Sequence, residues 1–117
     1  MLYMKLSSVF NQTSKNGRYF YYIITQYDKY IIEPYTYLFI NREAKLETLL
    51  NEDYGRIKDG VDTEIKKIHN HIDTFDIDNL KTNELEQLAV MIEELAKYLE
   101  YIKEKCDPKN PLGTFGN

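Results

Sequence analysis

Leu85, Leu88, Ile92, Leu95, Leu99, Ile102 and Cys106 follow one another in alternating steps of three and four residues. That spacing tracks the turn of an α-helix and places all of them on one apolar stripe, sustained over three heptads. Few folds accommodate such a stripe, because the helix must lay it against other apolar surface. The remaining faces carry Glu86, Glu93, Glu94, Lys97, Glu100 and Glu104 and suit water. The spacing predicts a helix over 82–106. Thr82 or Asn83 can cap it, and Glu86 stands three residues after Asn83 in a capping-box-like arrangement. Pro108 stops it, and 107–117, with Pro111, Gly113 and Gly116, reads as a flexible tail.

A second stripe precedes it. Leu46, Leu50, Tyr54, Ile57, Val61, Ile65, Ile68, Ile72 and Phe75 also advance by threes and fours, predicting a helix over 42–75. Gly55 and Gly60 each cost about 1 kcal/mol relative to Ala in a helix interior, so a break is expected near 51–60. The polar run from Asp73 to Thr82 reads as a turn. The two helices are therefore expected to pack as a long antiparallel hairpin.

The first 40 residues are different in kind. They hold 11 of the chain's 16 Tyr and Phe residues. Arg18–Gln26 and Lys29–Ile40 are dense in aromatic and β-branched side chains, the composition of strands. Asn16-Gly17 and Tyr27-Asp28 suit short turns. These features predict a three-stranded antiparallel β-meander at about 2–10, 18–26 and 29–40, with Pro34 marking an edge or bulge. A helix through 20–33 is the competing reading. The fold class expected is α+β: one domain over 1–117, with the meander at 1–40 followed by the hairpin.

Charge and cysteine content narrow the function. The chain of 117 residues has 15 Lys and Arg against 19 Asp and Glu, a net charge of -4. Duplex-binding proteins neutralise phosphates with a basic balance, which this chain lacks. The charge is uneven, with net +2 over residues 1–40 and net -6 over 41–117. A lone cysteine, Cys106, excludes an internal disulfide and fits a reducing compartment, so a cytoplasmic location is expected. No secretory h-region and no apolar run of membrane-spanning length is present, so no membrane partner is expected. Asn11-Gln12-Thr13 matches a glycosylation triplet, a pattern that arises often by chance.

Motifs for chemistry are scarce. His69 and His71, two apart, point to different sides of a helix and cannot chelate one metal ion from that element alone. Asp73, Asp76 and Asp78 lie nearby, but an EF-hand loop beginning at Asp76 would place Lys81 at its glycine position and Gln87 at its bidentate glutamate position, which rejects calcium. Cys106 falls on the heptad seam, where a buried inert thiol is the ordinary state. No nucleophile elbow, phosphate-cradling glycine loop or zinc-protease motif occurs. No catalytic residue, metal site or cofactor is expected.

What remains is a contact surface. On the expected strands, Tyr19 and Tyr21 share a face of the second, and Tyr35, Tyr37 and Phe39 share a face of the third. Both faces of that sheet would be apolar. One covers the helices, and the other suits a partner, since tyrosine is enriched at interface hot spots. The reading is a non-enzymatic protein-binding module: a small adaptor or inhibitor that occludes a larger partner, and a homodimer. Tyr21, Tyr35, Tyr37 and Phe39 are the expected anchors, and Glu93, Glu94 and Glu100 the steering charges. The small inhibitors that phages and other mobile elements direct at host nucleic-acid enzymes offer an analogy of class, with no motif behind it. The alternative is a single-stranded nucleic-acid binder that stacks bases on Tyr19 and Tyr21, with Arg18 and Lys29 supplying charge.

Overall fold

The computed structural model describes residues 14–108, and among them there is no strand. The expected first strand at 2–10, the Asn11 triplet and all but the first two residues of the expected tail lie outside the described residues. The other two strands are overturned: residues 15–41 form one helical rod. The rod runs through α1 (Lys15–Tyr27), a π-helical stretch at Asp28–Ile32, the single turn α2 (Glu33–Tyr35) and a second π-helical stretch at Thr36–Asn41. The protein is helical rather than α+β.

Local chemistry explains the correction. Asn16-Gly17, expected in a turn, lies in the first turn of α1, whose N-cap is Ser14: its backbone is extended and its hydroxyl accepts the Gly17 N–H at 3.0 Å. Tyr27-Asp28, read as a turn, keeps right-handed helical backbone angles. Pro34 sits inside the rod, where an α-helical ring would press on the carbonyl four residues earlier. Wider π turns flank it on both sides, and just before it the Glu33 N–H reaches the Asp28 carbonyl, five residues back. Within the rod Phe20, Ile24, Tyr27, Ile31 and Leu38 are buried, at steps of four, three, four and seven. A heptad-like period underlies the aromatic composition.

Arg42 leaves the helical region and ends the rod. After it come α3 (Glu43–Leu50), a 3₁₀ turn at Asn51–Asp53, α4 (Tyr54–Asp73), a second 3₁₀ turn at Ile77–Asn79, and α5 (Thr82–Cys106). Side-chain pairs set the directions. Phe20 meets Phe75, Tyr27 meets His69, Tyr35 meets Asp62 and Phe39 meets Tyr54, so rod and α4 are antiparallel. Asn16 meets Leu80 and Tyr37 meets Asp107, so rod and α5 are parallel. The result is an up-down-up three-helix bundle, with α3 folded at one end, where Leu46 is fully buried. The helical hairpin of α4 and α5 is present within it. The molecule is elongated, 52 × 31 × 22 Å.

The α5 seam is the centre of the core. Each of its residues, from Leu85 to Cys106, is buried, none more than 6% exposed. Burial of a Leu or Ile stabilises by roughly 1.5–3 kcal/mol, so the seam makes a large contribution to the core of the described residues. It packs against both other long helices, α4 on one flank and the rod on the other.

The break between α3 and α4 falls at Asn51, whose φ of 55° and ψ of -126° lie in a region that an L side chain rarely adopts. Gly removes the Cβ responsible for that strain. Asn51→Gly is expected to stabilise the fold by about 1 kcal/mol, read as a higher urea midpoint at unchanged slope. A lower midpoint would contradict a strained turn at this position.

Candidate functional site

Rod and α5 are tied together at both ends. At one end the Asn16 side-chain amide donates to the Leu80 carbonyl at 2.8 Å. At the other, Asp107 gathers three partners: the Tyr37 hydroxyl, Lys45 Nζ at 2.6 Å and Arg42 Nε at 3.4 Å. Arg42 also donates to the Tyr37 hydroxyl at 3.0 Å, and the Arg42 and Lys103 cations lie over the Tyr37 ring. Charge-assisted contacts that converge on one half-buried carboxylate hold better than a single surface pair.

Between the two ties the helices leave an open groove of about 570 Å³, and no residue of α4 lines it. Its rod wall is a helical stripe: Tyr19, Ile23, Gln26, Tyr30 and Pro34 recur in steps of four and three. Its α5 wall is a second stripe beside the seam, formed by Ala89, Glu93, Ala96 and Glu100. Ala89 and Ala96 are too small to close the space against the rod, and this is why a groove exists. Tyr22 and Val90, 57% and 51% exposed, and Lys97 stand at the rims. An apolar channel with tyrosine hydroxyls on one side and carboxylates on the other has the make-up of a recognition site.

The expected anchors distribute differently on a rod than on a sheet. Phe39, 1% exposed, is core, packed on Tyr35 and Tyr54. Tyr35 is half-buried and donates to Asp62 Oδ1 at 2.6 Å, while Lys58 Nζ donates to the other oxygen at 3.0 Å. Burial acts to raise the Asp62 pKa, but these two hydrogen bonds outweigh it and hold the carboxyl below its usual range. Burial, then the Asp62 bond, pushes the Tyr35 phenol up. Tyr37 belongs to the Asp107 clasp. Tyr21 is exposed on the rod but does not line the groove.

Of the steering charges, Glu93 and Glu100 line the groove and Glu94 is exposed elsewhere on α5. Of the residues assigned to base stacking, Tyr19 lies in the groove wall, while Arg18 and Lys29 are exposed, with the Lys29 ammonium over the Tyr30 ring. The tyrosine sheet that this alternative required is not there. Sequence reasoning missed Tyr22, Tyr30, Ala89 and Ala96. Their signal is a second helical stripe, visible only once residues 18–41 are placed on a helix.

The polar residues near the α4–α5 turn have structural tasks. Asp76 Oδ1 accepts the Asp78 N–H at 3.0 Å and caps the 3₁₀ turn. His69 is half-buried with its Nε2 2.6 Å from the Tyr27 hydroxyl, and the His71 ring meets Phe75 edge-on. Among the described residues no three His, Cys, Asp or Glu side chains come together as a metal site. No described helix is long and apolar enough to cross a membrane. In comparisons with known proteins the chain matches no family model, no curated protein and no solved structure.

Tyr27 is the buried titratable group with the clearest consequence. Burial, with the Asp28 charge adding, pushes its phenol up to about 12. Unfolded, it ionises near 10, so between these values the folded state binds more protons and stability falls as pH rises. The stabilisation is complete below pH 10 and is lost through about pH 12, on the order of 2–3 kcal/mol. Tyr27→Phe is expected to start less stable, having lost the His69 bond, but to show a shallower decline of urea midpoint over that window. Equal slopes would contradict the assignment.

Proposed function

We propose that this chain is a non-enzymatic protein-binding module, a small adaptor or inhibitor, and that the groove between the rod and α5 is its contact surface. The observation that carries this reading is the groove itself. It is an apolar channel tied at both ends, walled by Tyr19 and Tyr30 and rimmed by Tyr22 and Val90, on the face turned away from α4. Tyrosines bury large area at low entropic cost and are favoured where partners dock. A channel pinned at both ends loses little freedom on binding.

The heptad seam does not offer a surface of this kind, because the chain's own core consumes it. A homodimer would form through other surface, and the groove is one apolar region among the described residues that suits it. Occlusion of a partner would rest on the same face, with Glu93 and Glu100 setting orientation rather than affinity.

Tyr22→Ser with Tyr30→Ser tests this without touching the core, since the two side chains are 57% and 45% exposed. Tagged wild-type protein and the double variant, matched in thermal midpoint, are used to capture partners from cells of the source, with and without nuclease. A protein partner that survives nuclease and is lost by the double variant is the expected result. An unchanged partner set, or recovery that depends on nucleic acid, would contradict it.

A further inference from the structure

We infer that a second copy of this chain docks on α4, antiparallel and two-fold symmetric about Gly60. No residue of α4 lines the groove, so this is a different face. The inference goes beyond the groove reading and does not depend on it.

The charge pattern comes first. Asp53, the N-cap of α4, is followed at steps of three and four by Arg56, Gly60, Glu64 and Lys67. These residues form one exposed stripe about 21 Å long. Its charges read negative, positive, none, negative, positive. Gly60 is the midpoint, with Arg56 and Glu64 four residues to either side and Asp53 and Lys67 seven. In a two-fold interface residue i meets j while j meets i. Antiparallel pairing about Gly60 therefore sets Arg56 against the second copy's Glu64 and Asp53 against its Lys67, opposite charges at all four places. Parallel pairing would set each residue against itself, like charge on like. Asp59 and Lys66 stand roughly 100° or more round the helix, at the edge of such a contact.

Within one copy these side chains already pair along the helix. Arg56 lies 3.3 Å from Asp53, and Lys67 lies 3.2 Å from Glu64. Docking keeps both pairs. The Asp53–Arg56 pair of one copy lies against the Lys67–Glu64 pair of the other, in a square whose neighbours are all opposite in sign. An exposed ion pair alone contributes little, and a network of several charges contributes more. The four side chains are between 50% and 72% exposed, so the chain's own fold leaves them accessible.

Gly60 supplies the close approach. Glycine weakens a helix interior, and no packing within the chain requires it here, since a Cβ would meet nothing within 4 Å. It borders a notch of about 250 Å³ against α5, where Ile57, Leu95 and the 41% exposed Tyr98 present apolar surface. With no Cβ at the two-fold point, the two α4 helices can come near enough for the charges on either side to meet.

The test is sedimentation equilibrium of the full-length protein over a concentration series, with circular dichroism to check that each variant is folded. A wild-type dimer that weakens with added salt is the expected result. Arg56→Glu with Lys67→Glu makes the stripe wholly acidic and should weaken the dimer roughly tenfold or more. Reversal of all four charges (Asp53→Lys, Arg56→Glu, Glu64→Lys, Lys67→Glu) preserves the net charge and the self-complementary alternation, so it should dimerise as wild type does. Gly60→Leu should abolish the dimer. Gly55→Leu, at a position equally open within the chain but off the stripe, should keep it. A monomer at every concentration, a dimer that tolerates the acidic stripe, or a fourfold reversal that stays monomeric would overturn the inference. A dimer dispersed by Tyr22→Ser with Tyr30→Ser would also overturn it, and would place self-association in the groove.

Discussion

The burial of the α5 seam places every other long helix of this chain. A stripe from Leu85 to Cys106 on a single helix cannot face water without a large cost in apolar hydration. Two further helices, the rod and α4, cover its flanks, and their own buried residues recur at similar spacing: Phe20, Ile24, Tyr27 and Ile31 on one, Val61, Ile68 and Ile72 on the other. Matched periods let side chains of neighbouring helices interdigitate along the whole contact, as in bundles generally. The polar ties at Asn16 and Asp107 then fix how the rod lies along α5, a direction that apolar packing alone specifies weakly.

That hierarchy explains which parts of the fold were legible in the sequence. The α5 helix and its seam stood out because its apolar positions are separated by charged ones, so the period is unobscured. The stripe of α4 was equally plain, and the break between α3 and α4 coincides with Asn51–Asp53. Residues 18–40 were misread because their apolar positions are not isolated. Tyr19 through Ile24 is apolar on every side, and a composition rich in Tyr and Ile carries a β signal that reflects packing environment more than backbone preference. With an apolar seam waiting to be covered, tertiary packing decides. Pro34 pointed the same way for a poor reason: it argues against an interior helix position unless the helix widens around it, as it does here.

The site followed the same logic. Glu93 and Glu100 were legible as candidates because α5 was read correctly. The aromatic partners across the groove depended on the rod, so the face assigned to Tyr35, Tyr37 and Phe39 dissolved with the sheet. Phe39, with no polar group, went to the core, while Tyr35 went to Asp62 and Tyr37 to Asp107, because a half-buried phenol seeks a hydrogen-bond acceptor. Tyr22 and Tyr30 emerge instead, on the side of the rod that neither α4 nor α5 covers. Ala89 and Ala96 could only be understood as the cause of a groove once a neighbouring helix was in place. Small residues announce nothing by composition.

The account turns on residues 18–41 being helical. Backbone ¹³Cα chemical shifts of the isotope-labelled protein measure this residue by residue. Downfield secondary shifts running without interruption from Arg18 to Asn41, continuous across Pro34, are the predicted result. Upfield shifts over Arg18–Gln26 and Lys29–Ile40, with cross-strand contacts between the two stretches, would restore the sheet and remove both the bundle and its groove.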